Sequence, residues 1–322
     1  MKNPGVYLSQ ALAPFAPFLS RDDVTDIYVN RPHEIWLETL GGAIERHDAP
    51  NLEAKLLDRL ASQVASFSHQ GINREHPLLS ATLPGGERIQ CVAPPATRGA
   101  LAVAIRKHQS ADLSLDDYGT AGAFAALREK AEEPNVELAH LYSKGDYSGL
   151  LKRAVSLRRN ILVSGGTSTG KTTFLNALIR EIDRDERLIL IEDTPELVMR
   201  HANAVGLIAA RSALGEAVVS MEDLLNASLR MRPDRIILGE LRGHEAFTFL
   251  RAVNTGHPGS MTTVHADSPE RAIEQIALLV LQAGTQLSRE NVVHYVRSSI
   301  DVFVQLTRRG GRRSVAEIKV RG

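Results

Sequence analysis

The sequence predicts an α/β protein in which a smaller N-terminal α+β domain precedes a C-terminal nucleotide-binding domain. Three observations predict it. A complete phosphate-loop pattern, Gly165-Gly166-Thr167-Ser168-Thr169-Gly170-Lys171-Thr172, sits between the apolar run Ile161-Leu162-Val163 and a helix-compatible stretch from Thr173 to Arg180. Beyond it, apolar strand candidates alternate with helices, as in a largely parallel sheet. Before it, alternating runs and one amphipathic helix point to an α+β unit.

In chain order, a short amphipathic lead is followed by Thr25 to Asn30 and Glu34 to Glu38, which alternate around Arg31-Pro32-His33 and read as a hairpin. Leu52, Leu56, Leu57, Leu60, Val64 and Phe67 then recur at helical spacing, so a helix should cover that sheet. Further strands are expected at Ile89 to Ala93 and Leu101 to Arg106. Residues 1–108 thus form the α+β domain. Residues 109–144, polar, acidic and alanine-rich around Gly119 and Pro134, read as a partly helical linker. Residues 145–322 form the nucleotide-binding domain, with strands at Arg187 to Glu192, Arg235 to Gly239 and Ser260 to His265. Ser220 caps one helix that Pro233 ends, and Ser268-Pro269 opens another that stops at Gly284. Ile300 to Leu306 and Ser314 to Val320, joined through Gly310-Gly311, suggest a closing hairpin.

Composition narrows the function classes. The 322 residues give room for two domains, and 43% apolar with 24% charged residues is ordinary for a globular protein. Lys and Arg number 38 and so do Asp and Glu, a balance that argues against generic nucleic-acid binding. Cys91 is the single cysteine, so no intramolecular disulfide forms, and its setting reads as a buried strand. Prolines 4, 14 and 17 interrupt the first twenty residues, and no apolar run nears eighteen. A cytoplasmic protein with at most peripheral membrane contact is expected.

The loop binds a nucleoside triphosphate by turning backbone N–H groups toward phosphate oxygens at a helix start. Gly165 to Thr173 would cradle the phosphates, with Lys171 reaching the β- and γ-phosphates and Thr172 offering its hydroxyl to Mg²⁺. Three later strands end in polar groups, where α/β sheets place ligands. Glu192 follows the first and could hold Mg²⁺ or orient water; Asp193 could do likewise or cap a turn. Glu240 follows the second, is the leading candidate for polarising the attacking water, and could position the metal; Arg242 follows it. His265 ends the third, as a γ-phosphate contact or as a packing histidine. Arg308, Arg309, Arg312 and Arg313 cluster at the last turn, a solvated hairpin tip or a contact for anionic lipid or a partner.

The segments GGTSTGKTT, LILIEDTPEL, ASLRMRPDRIILGELRG and TGHPGSMTTVHADSP, in that order, resemble the Walker A, Asp, Walker B and His boxes of secretion ATPases. The resemblance is nearest to the hexameric traffic ATPases of type IV secretion and conjugation systems, the family of the eleventh VirB protein. It extends to Pro77 to Ala81, Leu83 to Gln90 and Ile105 to Lys107, and so covers most of the chain. It implies a RecA-like C-terminal P-loop ATPase domain that uses ATP and Mg²⁺. It also implies a six-membered homo-oligomeric ring and work with other type IV secretion components at the cytoplasmic face of the inner membrane. By the same resemblance Arg98 and Arg106, and more weakly Arg88, lie where the N-terminal domain brings arginines to the phosphates. The alternatives are a DNA-stimulated ring translocase and an ATP-gated scaffold with little turnover.

Overall fold

In the computed structural model, residues 5–107, 114–120, 122, 124, 134–210 and 217–321 are described. Two helices, α1 (Val6–Leu12) and α2 (Ala16–Leu19), are joined by one 3₁₀ turn that takes Pro14 in its first positions. They lead into β1 (Val24–Val29), β2 (Glu34–Thr39), β3 (Ile44–Asp48), α3 (Ala54–Phe67), β4 (Leu78–Thr82), β5 (Arg88–Val92) and β6 (Ala102–Arg106). These six strands form one sheet in the order β3-β2-β1-β6-β5-β4, every neighbouring pair antiparallel.

Strand alternation decides what each face of this sheet meets. Ile27, Val29, Ile35, Leu37, Cys91, Val103 and Ile105 point to one side, where α3 buries Leu57, Leu60 and Val64 and α1 adds Leu8. Tyr28, Val92, Ala102 and Ala104 point to the other and join a core made mostly of C-terminal residues. The expected hairpin and helix are present, and the sheet is covered on both faces. Two strands escape sequence patterning: β3 alternates exposed with half-buried residues and β4 is only partly buried, and both lie at sheet edges. Charged residues on β3, Glu45, Arg46 and Asp48, suit an edge that must not pair further.

The C-terminal half comprises α4 (Leu115–Thr120), α5 (Pro134–Ser143), α6 (Tyr147–Ser156), β7 (Ile161–Gly165), α7 (Lys171–Arg180), β8 (Leu188–Glu192), β9 (Ala204–Ile208), α8 (Met221–Ser228), β10 (Arg235–Leu238), α9 (Glu245–Asn254), β11 (Met261–Val264), α10 (Pro269–Gln282), α11 (Arg289–Ser299), β12 (Val302–Arg309) and β13 (Arg312–Val320). Seven strands run β13-β12-β7-β11-β10-β8-β9, parallel except for the closing β12–β13 hairpin. Alternate residues of the inner strands feed two cores. Leu162, Ile189, Ile191, Ile236, Leu238 and Val264 meet α8, α9, α10 and α11. Ile161, Val163, Leu188, Leu190, Ile237 and Met261 meet α5, α6 and α7. Cover on both faces explains why these strands read as unbroken apolar runs.

Ser220 and Asp223 form a reciprocal capping box on α8, and Ser268 caps α10 with Pro269 in its first turn. Within the segment expected as a linker, α5 packs Leu138 beside Leu150 and Ile161. Residues 109–113, 121, 123 and 125–133 of that segment lie outside the described residues.

The two sheets are tied by backbone as well as side chains. Residues 96–98 run antiparallel beside β9: Ile208 N–H donates to the Ala96 carbonyl at 2.9 Å, and Arg98 N–H to the Gly206 carbonyl at 2.9 Å. Deeper in, the fully buried Arg187 places its guanidinium 4.1 Å from the Tyr28 ring centroid and donates to Asn30 Oδ1 at 2.6 Å and to the Met231 carbonyl at 2.9 Å. Burial pushes its pKa down to about 10, a loss of hydration that Tyr28, Asp234 and Asp26 offset only in part.

Candidate nucleotide site

Four neighbouring parallel strands, β7, β11, β10 and β8, end on the same edge of the sheet. A cleft of about 650 Å³ opens there, lined by the phosphate loop, Glu192, Asp193, Glu240, Arg242, His265 and Arg313. The loop leaves β7 at buried Gly165, turns through Ser168 at φ 60°, and enters α7 through Gly170 at φ +94°. That last conformation is left-handed, which glycine adopts without the penalty a Cβ brings. Thr169 Oγ1 donates to the Gly166 carbonyl at 2.9 Å and pins the curl. Thr167, Ser168, Thr172 and Thr173 also line the cleft.

Lys171 is 9% exposed and folds back into the loop, its Nζ 3.0 Å from the Gly165 carbonyl and 3.3 Å from that of Gly166. Burial, only partly offset by Glu240, holds its pKa below the usual lysine value. His265, just past β11, joins Lys171 to the carboxylate beyond it. Its Nε2 lies 2.9 Å from Glu240 Oε1, and its Nδ1 lies 3.3 Å from Lys171 Nζ. Lys171 Nζ lies nearly as close to Nε2, at 3.4 Å, so the ammonium faces both ring nitrogens.

Glu240, two residues beyond β10, is 13% exposed, and its Oε2 accepts from Arg242 at 2.5 Å. Arg242 also donates to Asp193 Oδ2 at 2.9 Å, so it bridges the ends of β10 and β8. Its pKa is raised, chiefly through the bond to Glu240. Sequence reasoning noticed Arg242 only as a neighbour of Glu240; its bridge needs β8 and β10 side by side, which no local pattern reveals.

Glu192 is different. It is 2% exposed, and its Oε1 accepts backbone N–H bonds from Glu196 at 3.0 Å and Leu197 at 2.7 Å. Its Oε2 forms an ion pair with the Arg98 guanidinium, whose Nη1 donates to the Leu197 carbonyl at 2.7 Å. Burial lowers the Arg98 pKa. Arg98 therefore reaches the cleft wall through Glu192. Arg106 does not line this cleft: it stands exposed at the end of β6, 3.9 Å from Asp26, opposite Arg88 in the ladder. Both line a separate cleft with Arg230. Arg313, one of the four arginines at the last turn, is brought against the phosphate loop, which the charge pattern did not reveal.

Comparison with known proteins fits this geometry. The family model "Type II/IV secretion system protein" matches residues 9–316. The type IV secretion system protein VirB11 of Bartonella henselae is 41% identical over 324 residues, covering 95% of this chain and 91% of the relative. The VirB11 of Brucella suis is 43% identical over 304 residues, with 92% and 84% covered. PtlH of Bordetella pertussis is 40% identical, with 94% and 91% covered. Among solved structures, the Brucella suis VirB11 ATPase in complex with sulphate matches with TM-score 0.91 at 39% identity, over 98% of this chain and 95% of that one. The chain belongs to the type II/IV secretion system protein family, in its VirB11 branch.

Proposed function

We propose that the chain is a Mg²⁺-dependent ATPase motor of a type IV secretion apparatus, with the cleft at the ends of β7, β11, β10 and β8 as its reaction site. One observation carries the reading: Lys171, His265 and Glu240 stand in a line from the phosphate loop to a strand-end carboxylate, with His265 3.3 Å from Lys171 Nζ and 2.9 Å from Glu240 Oε1. A bound nucleotide would offer phosphate oxygens to Lys171 in place of the Gly165 and Gly166 carbonyls. Glu240, anchored through Oε2 by Arg242 and with its unsatisfied Oε1 buried beside His265, is oriented to take hydrogen bonds from an attacking water. Arg242 and Lys171 put positive charge beside the transferring phosphoryl group.

The donor groups fit Mg²⁺, which keeps several waters and leans on substrate phosphates with few protein ligands. The Thr172 hydroxyl would hold it directly and Glu240 through water, and the ion would neutralise phosphate charge. Glu192 serves a different end, because its oxygens are engaged by the 196–197 backbone and Arg98. We assign it to linking the nucleotide cleft with the N-terminal domain. A homo-oligomeric ring, six-membered as in the family, acting beside other secretion components at the inner membrane completes the reading. Among the described residues, no helix is long and apolar enough to cross a membrane.

The test is Lys171→Ala in the purified full chain, followed by phosphate release from ATP. Folded protein with turnover lowered at least tenfold is expected. Wild-type hydrolysis in that variant would refute the site.

A further inference from the structure

We propose that Arg313, on the C-terminal hairpin, is a nucleotide-contacting residue that gives positive charge to the phosphate chain from the wall opposite His265 and Glu240. The inference rests on the nucleotide reading of the cleft and adds a residue from an element that carries no nucleotide motif.

Topology brings it there. β7 lies between β11 on one side and β12 on the other, so the hairpin and His265 flank the phosphate loop from opposite directions. β12 pairs with β7 up to Leu306 beside Gly165, then continues to Arg309 before turning. Three further residues carry the strand about 10 Å past the point where β7 ends. The hairpin therefore overhangs the loop, and a Cβ placed on Gly170 would lie 3.2 Å from Arg313 Cδ and 3.7 Å from its Nε and Nη1. The guanidinium thus rides over the backbone that opens α7, beside Lys171.

Charge points the same way. The ladder sets Arg308 opposite Arg313 and Arg309 opposite Arg312. Like charges directly across a ladder repel, and two such pairs in succession disfavour the hairpin unless something offsets them. Among the described residues no carboxylate forms an ion pair with any of the four. A polyphosphate in the cleft would supply the missing negative charge. Because side chains alternate along a strand, Arg308 and Arg313 share the face toward the loop, whereas Arg309 and Arg312 share the opposite one. Arg313 is exposed, so it remains hydrated without ligand and free to turn toward phosphate oxygens, which a guanidinium grips in bidentate fashion.

The experiment titrates a fluorescent ADP analogue into the purified full chain carrying Arg313→Ala, Arg313→Lys, Arg312→Ala or Lys171→Ala, with melting of each ligand-free protein alongside. Arg313→Ala should bind about tenfold more weakly, about 1.4 kcal/mol. Arg313→Lys should recover most of that loss, Arg312→Ala should stay within twofold of wild type, and the ligand-free melting temperatures should agree. Binding by Arg313→Ala within twofold of wild type, while Lys171→Ala is weakened, would overturn the role of Arg313 alone. Unchanged binding in Lys171→Ala would remove the nucleotide reading of the cleft itself. A lowered ligand-free melting temperature in both Arg313 variants, without rescue by lysine, would mark a structural role and also overturn the proposal.

Discussion

Glu240→Gln separates chemistry from architecture at this site. The amide has nearly the shape of the carboxylate and can keep the Arg242 bond at 2.5 Å by placing its oxygen there, which leaves its nitrogen on the side of His265. Structural loss should be small. The Arg242 side chain is 43% exposed and retains Asp193 at 2.9 Å, and pairs screened to that degree contribute about 0.2–1 kcal/mol. The catalytic loss should be much larger, because an amide is a poor acceptor for a water proton. Losing a positioned base lowers rates about 10²–10⁴-fold, which is about 3–5 kcal/mol in the barrier. Nucleotide affinity should hold or tighten, since a negative charge near the polyphosphate has gone. Single-turnover phosphate release is the right assay, because slow product release would hide a chemical defect in steady state. A release rate within threefold of wild type would show that Glu240 does not act on the water. A fall in melting temperature as large as that caused by a core substitution would show its role to be structural.

Two further outcomes follow from buried charge. Arg98→Ala leaves the Glu192 carboxylate buried with only its backbone partners, and should destabilise the chain by about 3 kcal/mol in urea unfolding. Adding Glu192→Gln should recover part of that loss, and an Arg98→Ala midpoint equal to wild type would contradict the buried pair. His257, near the turn after α9, is pushed below the usual histidine pKa chiefly by burial and lies 3.2 Å through Nδ1 from the Ala252 carbonyl. The unfolded chain therefore takes up this proton at higher pH than the folded one, so the contribution is intact above pH ~6.5 and falls away on acidification. His257→Gln should flatten the acid limb by at most about 1.4 kcal/mol per pH unit, the limit for one proton. Urea midpoints at two pH values on either side of that range provide the check, and parallel wild-type and variant curves would refute it.

Most of the site was legible because its residues lie next to strands that betray themselves. An apolar run buried on both faces and closed by a polar group marks a sheet edge, and β7, β8, β10 and β11 all have that form. What escaped depends on neighbours far apart in sequence. β3 and β4 carry weak patterns because an edge strand buries little. β9, with Gly206 at its centre, is short and lies where residues 96–98 cover it, a fact set by the other half of the chain. Arg187 looked like the charged start of a strand; it is buried only because Tyr28 and Asn30 arrive from the first sheet. Arg313 gave no sign beyond its charge, since its meaning depends on β12 lying next to β7.

The contrast between Glu192 and Glu240 carries one more lesson, readable in part from the residues that follow each. Both lie at the ends of inner parallel strands at the ligand edge, and metal binding or work on the attacking water was expected of each, with Glu240 the leading candidate for the water. After Glu192 comes Asp193-Thr194-Pro195, and the turn made there brings the N–H groups of Glu196 and Leu197 back onto Oε1. A carboxylate captured by its own chain is held for structure, and its buried charge then draws in Arg98 from the other domain. After Glu240 comes Leu241-Arg242-Gly243, with no proline to turn the backbone inward, so the carboxylate is met by the side chains of Arg242 and His265. It stays at the cleft surface, where water and phosphate have access. In the proposed function, Glu192 accordingly belongs to the contact with the other domain and Glu240 to the work on the ligand. Glu240→Gln and Arg98→Ala test the two halves of that distinction separately, one through rate and the other through stability.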